Sequence, residues 1–297
     1  MPWLQLKINS SRKLAPKLES ALQTVGAQAV TMEDNADQPI FEPELGETPL
    51  WQETCVTGLF EADIDSDAIL AEVERLYLQK AHIELQDAHW HLLEDKDWER
   101  EWMTHYHPIQ CADKLWICPS WTPPPDPAAT NIMLDPGLAF GTGTHPTTFL
   151  CLQWLAEQDM TEKTAIDYGC GSGILGIACL LLGAKHVSGT DIDPQALLAT
   201  QDNVTRNDLA ADCFPVFFPD KCPTEPCDLV AANILAGPLV ELAPTLIALL
   251  KAGGKICLSG VLSSQQDAIV AAYGDHIDFN EVRTKDEWIC VTGTKRH

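Results

Sequence analysis

The chain has few basic residues for its size, with 19 Lys and Arg against 43 Asp and Glu among 297 residues. The resulting net charge of −24 excludes a free-standing nucleic-acid binder, which needs a basic surface, so we expect no direct nucleic-acid binding. No apolar run reaches the roughly 18 residues that a membrane span needs, and the opening "MPWLQLKINS" lacks a signal-peptide core. We therefore expect a cytoplasmic protein without membrane association. Separately, we expect a monomer.

Paired metal-ligand motifs are missing as well. The eleven cysteines include no CxxC pair, which excludes a zinc knuckle, and their odd number argues against a disulfide framework. Several lie in apolar segments, where a free cysteine behaves as a small hydrophobe: Cys151, Cys179, Cys257 and Cys290. The HxH pairs at 89/91 and 105/107 are not part of a longer metal-binding motif, and isolated pairs of this kind are usually incidental. We therefore expect no metal site.

Residues 1–95 predict a first domain. Apolar and polar residues alternate in "WLQLKIN" as in a half-buried strand, and "SRKLAPKLESALQTVG" opens on a serine cap and closes on Gly26, as a helix does. Continued to residue 95, the pattern gives the order β-α-β-β-α-β. This order is typical of a small ferredoxin-like α+β domain, with two helices on one face of a four-stranded antiparallel sheet.

The acidic residues are concentrated in that part of the chain. Residues 1–100 contain 20 acidic and 8 basic side chains, so a third of the chain contributes half of the net charge. Such a field would steer a basic partner towards this domain. A solvated acidic surface that only keeps the protein soluble is the alternative, and the sequence leaves both open.

We predict a linker helix followed by an irregular connector over residues 96–125. We predict a catalytic domain over residues 126–297. In the latter, strands alternate with helices, which indicates a parallel sheet covered on both faces. The ending "DFNEVRTKDEWICVTGTK" holds two extended runs with no helix between them, so these strands must be antiparallel neighbours. The predicted fold is thus a Rossmann-like α/β domain of the methyltransferase type, with seven strands of which the last are antiparallel.

Two features predict an adenosine-type ligand. In "DYGCGSGILG" the residues Gly169, Gly171 and Gly173 lie between a strand and a helix, at the sheet edge where α/β proteins bind ligands. Asp191 ends the next strand, 22 residues beyond Gly169, where its carboxylate can accept hydrogen bonds from ribose hydroxyls. A nicotinamide enzyme shares both features, and a tight turn beside a helix-capping Asp193 is a purely structural alternative.

Three further residues bear on the chemistry. Asp167 precedes the glycines, where S-adenosylmethionine enzymes commonly have an acid towards the cationic methionine end of the cofactor. Asn233 ends the fourth strand, where its carbonyl oxygen can accept a hydrogen bond from an amine, although it could instead cap the helix "GPLVELAP". In "LDPGLAFGTGTHPTT" no lysine follows the glycines, so it is a poor phosphate loop. We interpret it as an active-site cover whose Thr148 begins a helix and whose His145 shapes the loop or acts as a base.

These blocks resemble the PrmA family, the methyltransferases of ribosomal protein L-eleven. The resemblance covers nearly the whole chain, in "DWEREWMTHYHPI", "LWICPSW", "LDPGLAFGTGTHPTT", "IDYGCGSGILGIA", "DIDPQAL", "NILAGPLVELAP" and "LSGVL". The "DPGLAFGTGTHPTT" string is the most specific of them, and the acidic segment 35–50 matches no family block.

The resemblance implies a ferredoxin-like domain that recruits a basic ribosomal protein, and a catalytic domain that trimethylates lysine side chains and the N-terminal α-amine using S-adenosylmethionine. The family's cofactor-contacting positions fall on Thr148, Gly169, Asp191 and Asn233, with Asp167, Gly171 and Gly173 as weaker candidates. Two alternatives remain. One is a methyltransferase of another protein or of a small amine; the other is a nucleotide-binding protein without this activity, or a nicotinamide-dependent enzyme.

Overall fold

The chain forms two compact units, Met1–Met103 and Thr104–His297. The computed structural model describes residues 2–36, 38, 49–93, 106–135, 141, 143–280 and 282–297. The predicted start of the linker helix and most of the acidic segment 35–50 lie outside these residues. Among the described helices, none combines the length and apolarity needed to cross a bilayer.

The first unit has the predicted β-α-β-β-α-β order. Its elements are β1 (Trp3–Ser11), α1 (Ala15–Thr24), β2 (Ala29–Asp34), β3 (Glu53–Glu61), α2 (Ser66–Ala81) and β4 (Ala88–Leu93). The strands pair antiparallel in the order β2-β3-β1-β4, which is the ferredoxin-like arrangement. Leu6 and Ile8 of β1 pack with Leu18 and Leu22 of α1, and all four side chains are buried.

The second unit alternates strands and helices. Its elements are β5 (Ile109–Ala112), β6 (Leu115–Cys118), β7 (Thr130–Met133), α3 (Pro146–Leu155), β8 (Thr164–Tyr168), α4 (Ile174–Leu181), β9 (His186–Thr190), α5 (Pro194–Arg206), β10 (Val216–Phe217), β11 (Cys227–Asn233), α6 (Ala236–Glu241), α7 (Ala243–Ala248), β12 (Leu250–Leu262), α8 (Gln266–Tyr273), β13 (Ile277–Phe279), β14 (Arg283–Lys285) and β15 (Trp288–Lys295).

The main sheet follows the path β10-β9-β8-β11-β12-β15-β13, with the short β14 paired to β15. The strands from β10 to β12 are parallel, whereas β15 is antiparallel to β12 and to β13. The predicted Rossmann-like sheet with antiparallel last strands is confirmed. From β8 the chain builds outward first through β9 and later through β11, so the strand order reverses between β8 and β11. Such a reversal opens a crevice at the carboxyl ends of these strands.

Both faces of this sheet are covered because its central strands are apolar on both sides. Leu229 and Ala231 of β11 join the core formed with α3 and α4, whereas Val230 and Ala232 join the core formed with α6, α7 and α8. Continuous apolar strands of this kind are typical of buried parallel sheets.

The structure departs from the sequence expectation in three places. Helix α1 begins after Leu14, which makes no side-chain cap, so the predicted serine cap is wrong. The stretch predicted as an irregular connector includes β5 and β6, which form a three-stranded sheet with β7. The run "GPLVELAPTLIALLK", whose apolar spacing predicts one helix, is split at Leu242 into α6 and α7. Pro244 explains the split, because a proline has no amide hydrogen and its ring collides with the carbonyl four residues earlier.

Candidate active site

The glycine loop, residues 169–173, connects β8 to α4 at the crevice. Gly169, Gly171 and Gly173 have φ values of +77°, +55° and +78°, which residues with a side chain rarely adopt. A Cβ at Gly169 would lie 2.3 Å from Cγ2 of Ile234, and one at Gly173 would lie 2.7 Å from Cγ2 of Thr200. Both conformation and space therefore require glycine at these two positions.

Two side chains of α5 hold this loop, and sequence reasoning missed both. Thr200 donates from Oγ1 to the Gly171 carbonyl at 3.0 Å, and Asn203 donates from Nδ2 to the Ser172 carbonyl at 2.8 Å. Both side chains are buried. The available signal was a pair of polar residues three positions apart, and therefore on the same helix side as the buried Ala196 and Val204.

Asp191 follows β9 and is fixed by two backbone amides. Its Oδ2 accepts from Gly171 at 2.9 Å and its Oδ1 accepts from Asp193 at 3.0 Å. Each carboxylate oxygen has a second lone pair, so the half-buried carboxylate retains acceptor capacity towards a ligand. Asp193 separately caps α5 by accepting from Gln195, so the capping role falls on Asp193 and leaves Asp191 at the glycine loop.

Exposed apolar residues flank Asp191 on the same sheet edge. Ile192 is 82% exposed directly after it, and Phe218 is 44% exposed directly after β10. The two segments are adjacent, because the Asp191 amide donates to the Phe217 carbonyl at 3.2 Å. Sequence reasoning did not single these residues out, although an apolar residue next to the ribose-type acid was a usable signal.

Asp167 lies beneath the glycine loop, in the core of the unit. It is 2% exposed, and its Oδ2 accepts from the Gly176 amide at 2.9 Å. Burial raises the pKa of Asp167 to about 7; the hydrogen bond from Gly176 lowers this pKa, and the charge of Asp191 raises it. The carboxyl therefore titrates near neutral pH and positions the first turn of α4.

Replacement of Asp167 by asparagine is expected to change the pH dependence of stability. The native carboxyl binds a proton more tightly than the unfolded one, so wild-type stability is lost as the pH rises from about 4 to about 7. Asparagine keeps an acceptor for Gly176 and does not ionise. The free energy of unfolding of Asp167→Asn relative to wild type should thus rise over this interval, by up to about 4 kcal/mol. Urea unfolding of both cofactor-free proteins between pH 4.5 and 8 measures this difference in the free energy of unfolding.

Asp228→Asn is the matched control for this measurement. Burial raises the pKa of Asp228, but hydrogen bonds from Thr164 and Lys251 lower it to about 2. The contribution of Asp228 to the free energy of unfolding is therefore constant above pH 4.5 and disappears only at lower pH. A relative stability of Asp167→Asn that is independent of pH would contradict the shifted titration of Asp167.

Asn233 and Thr148 lie together at the carboxyl end of β11. Asn233 Nδ2 donates to Thr148 Oγ1 at 3.2 Å, and this contact turns Asn233 Oδ1 in the opposite direction. Oδ1 is buried and has no hydrogen-bond partner. A buried acceptor without a partner is costly, which makes this oxygen a position where a donor is missing.

Ile234, the next residue, lies between two glycines. Its side chain occupies the space beside Gly169, and its backbone passes over Gly260, where a Cβ would lie 2.3 Å from the Ile234 carbonyl oxygen. Gly260 has a φ of +82° and lies where the pairing of β12 with β15 is irregular. The glycine loop and the segment of Asn233 are therefore in direct contact.

The segment before α3 is described only in part, because residues 136–140 and 142 lie outside the described range. Gly141 is joined to the glycine loop, since Ser172 Oγ donates to its carbonyl at 2.8 Å. His145 caps α3, with Nδ1 3.4 Å from the Thr147 amide and 2.8 Å from Thr147 Oγ1. Burial lowers the pKa of His145. These contacts favour the loop-shaping role of His145, whereas the cover role of the whole segment stays a prediction.

Comparison with known proteins gives a consistent result over the full length. A family model described as "Ribosomal protein L11 methyltransferase (PrmA)" matches residues 2–296. Proteins named ribosomal protein L11 methyltransferase from Teredinibacter turnerae and Saccharophagus degradans are 67% and 65% identical over 296 residues; the alignments span all of this chain and 98% and 100% of those proteins. The crystal structure of the ribosomal protein L11 methylase from Lactobacillus delbrueckii subsp. bulgaricus is similar with a TM-score of 0.57 and 31% identity. That match spans 65% of this chain and all of the other.

Proposed function

Because the chain belongs to the family of ribosomal protein L11 methyltransferases, we propose that it transfers methyl groups from S-adenosylmethionine to ribosomal protein L11. The acceptors are lysine side-chain amines and the N-terminal α-amine. The observation that best supports an amine acceptor is the partnerless Oδ1 of Asn233 beside the glycine loop. Methylation of another protein or of a small amine is the alternative, and the experiment below distinguishes the three.

Three features of the crevice support S-adenosylmethionine as the cofactor. Glycines at 169, 171 and 173 leave this loop without side chains at three positions, and the oriented carboxylate of Asp191 can accept from ribose hydroxyls. Ile192 and Phe218 offer apolar surface for the adenine on either side of that carboxylate. Thr148, Gly169, Asp191 and Asn233 are the proposed contacts. Asp167 Oδ2 already accepts a hydrogen bond from the Gly176 amide, so we propose that Asp167 supports the glycine loop.

The division of chemical work follows from the cofactor. When bound, S-adenosylmethionine supplies a methyl group on a sulfonium, which is already activated towards a nucleophile. The residues of the chain must keep the amine neutral and aim its lone pair. Free lysine has a pKa near 10.4, and desolvation in the crevice lowers the pKa of an amine.

Asn233 is the residue proposed to aim the amine. Its Oδ1 accepts an N–H from the neutral amine, which directs the nitrogen lone pair away from Asn233. Thr148 holds Nδ2 at 3.2 Å, so the amide cannot turn its donor towards the substrate without losing this bond. The proposed roles are thus orientation by Asn233 and support by Thr148, and proton loss to water completes the reaction.

A basic substrate agrees with the charge of the chain. The first 100 residues have 20 acidic and 8 basic side chains, and long-range attraction would raise the association rate of a lysine-rich protein. We propose that the first unit recruits the substrate. A cytoplasmic monomer without direct nucleic-acid contacts stays a prediction.

The deciding experiment uses methyl-labelled S-adenosylmethionine with ribosomal proteins from a strain that lacks the enzyme. We expect label in one small basic protein that comigrates with L11. Label in other proteins supports methylation of another protein, and label confined to small molecules supports methylation of a small amine. Either result would overturn the proposed substrate.

Deletion of residues 1–95 tests recruitment. The second unit has its own apolar core, so the shortened chain should keep its affinity for S-adenosylmethionine. Methylation of L11 should fall by more than about 100-fold, because positioning of a bound substrate accounts for at least this much of a rate. Scintillation counting and calorimetric titration measure the two quantities. Undiminished labelling of L11 would show that recruitment lies outside the first unit.

A further inference from the structure

Three cysteine side chains converge in the core behind the proposed active site. Cys151 belongs to α3, Cys257 to β12 and Cys290 to β15, and each side chain is completely buried. Their Sγ atoms all lie within 4.8 Å of one another, and those of Cys257 and Cys290 are 3.5 Å apart. Within the described part of the chain, no other group of three such ligands is close enough to hold a metal ion.

The role of small core hydrophobes, which the sequence predicts for these cysteines, explains their burial. It does not explain why three thiols from three distant segments meet at one point.

Geometry and charge together select the class of ion. The cluster offers three soft ligands, whereas Zn²⁺ takes four in a closed site. Three thiolates would leave a net charge of about −2 around Cu⁺, and an unbalanced charge in an apolar core is costly. A trivalent thiophilic centre gives a neutral complex. We propose that Cys151, Cys257 and Cys290 form a binding site for trivalent arsenic.

The binding step is balanced without an oxidant or reductant. One molecule of arsenous acid reacts with three thiols, breaking three As–O and three S–H bonds and forming three As–S and three O–H bonds. The products are one neutral tris-thiolate and three water molecules, and no oxidation state changes. The inference is independent of the proposed function, because its readout needs neither cofactor nor substrate.

The test uses the full chain, incubated to equilibrium with arsenite in excess glutathione. Native mass spectrometry should show one arsenic added with loss of three hydrogens, and X-ray absorption should show three sulfur ligands around arsenic. Alkylation of the arsenic-treated protein in denaturant should leave Cys151, Cys257 and Cys290 unmodified, whereas all eleven cysteines of the untreated protein should react. Cys257→Ala should lower the affinity at least about 100-fold, whereas Cys179→Ala, which removes a buried thiol outside the cluster, should bind as wild type does.

The measurements on the wild-type protein test the arsenic site even if Cys257→Ala does not fold. A wild-type protein that binds no arsenic under these conditions, or binds it through two sulfur atoms, would overturn the site. Arsenic-dependent protection of cysteines other than these three, or equal arsenic binding by a folded Cys257→Ala, would do the same. Stoichiometric Zn²⁺ or Cu⁺ at these cysteines without arsenic binding would overturn the assigned ion.

Discussion

Replacement of Asn233 by alanine is expected to lower kcat for methylation of L11 by about 100-fold or more, while the Kd for S-adenosylmethionine changes by less than about threefold. The reason lies in the buried Oδ1, which is the proposed acceptor for the amine and has no hydrogen-bond partner in the protein. Single-turnover labelling gives the rate of transfer, and calorimetry gives the cofactor affinity.

The methylation state of the acceptor sharpens this prediction. A neutral primary or monomethyl amine has an N–H to donate to Oδ1, whereas a neutral dimethyl amine has none. The effect of Asn233→Ala should therefore be large on the first two transfers to a lysine and small on the third. Peptides with unmodified and dimethylated lysine, compared in parallel, isolate the hydrogen bond from any general disturbance of the crevice.

Two further variants complete the comparison. Thr148→Val removes the acceptor that holds Asn233 Nδ2 and should also slow the first transfer, whereas Thr148→Ser keeps it and should not. Asn280→Ala removes an exposed asparagine at the far end of the sheet and should behave as wild type. If Asn233→Ala weakens cofactor binding more than turnover, Asn233 is a cofactor ligand only and does not aim the amine.

Replacement of Gly260 by alanine is expected to lower the free energy of unfolding by about 2–4 kcal/mol and kcat by about 100-fold. The new Cβ would lie 2.3 Å from the carbonyl oxygen of Ile234, and the φ of +82° adds backbone strain. Because the obstructing atoms are backbone, the segment that follows Asn233 must move. Urea unfolding and single-turnover labelling measure the two effects.

Gly237→Ala is the matched control. Gly237 lies in α6, three residues after Ile234. Apart from its chain neighbours and the backbone of its own helix, no atom is within 4 Å of the position that its Cβ would occupy. This substitution should leave kcat unchanged and stabilise the protein by up to about 1 kcal/mol, as alanine does in a helix. Equal stability and kcat for Gly260→Ala and Gly237→Ala would show that the close passage of Ile234 over Gly260 does not exist in solution.

Much of the fold was predictable because the signals were local and periodic. The β-α-β-β-α-β order follows from alternation and helical spacing, and the antiparallel ending follows from two strands without a helix between them. The glycine loop and Asp191 were recognisable because residue type and position after a strand define them together. The sheet of β5, β6 and β7 was not predictable in this way, since its strands have four residues each and β6 pairs with β7 across a proline-rich segment.

The details of the site depend on contacts between distant parts of the chain. Nothing near Asn233 in the sequence indicates that Thr148, 85 positions away, holds its amide nitrogen and leaves its oxygen without a partner. The same holds for Cys151, Cys257 and Cys290. The apolar segment around each cysteine correctly predicted that its side chain is buried, but not that the three thiols meet. Local patterns determine which residues face the core, whereas the pairing of strands determines which of them meet.

The position of Ile234 between Gly169 and Gly260 has a consequence for how these sequences can diverge. At 169 the steric obstacle to a side chain is Cγ2 of Ile234, so once residue 234 loses that methyl group only the positive φ still disfavours a change there. At 260 the obstacle is the backbone of residue 234, which every amino acid has. We therefore expect substitutions at 169 and 234 to co-vary among relatives, and glycine to persist at 260 whatever residue 234 becomes.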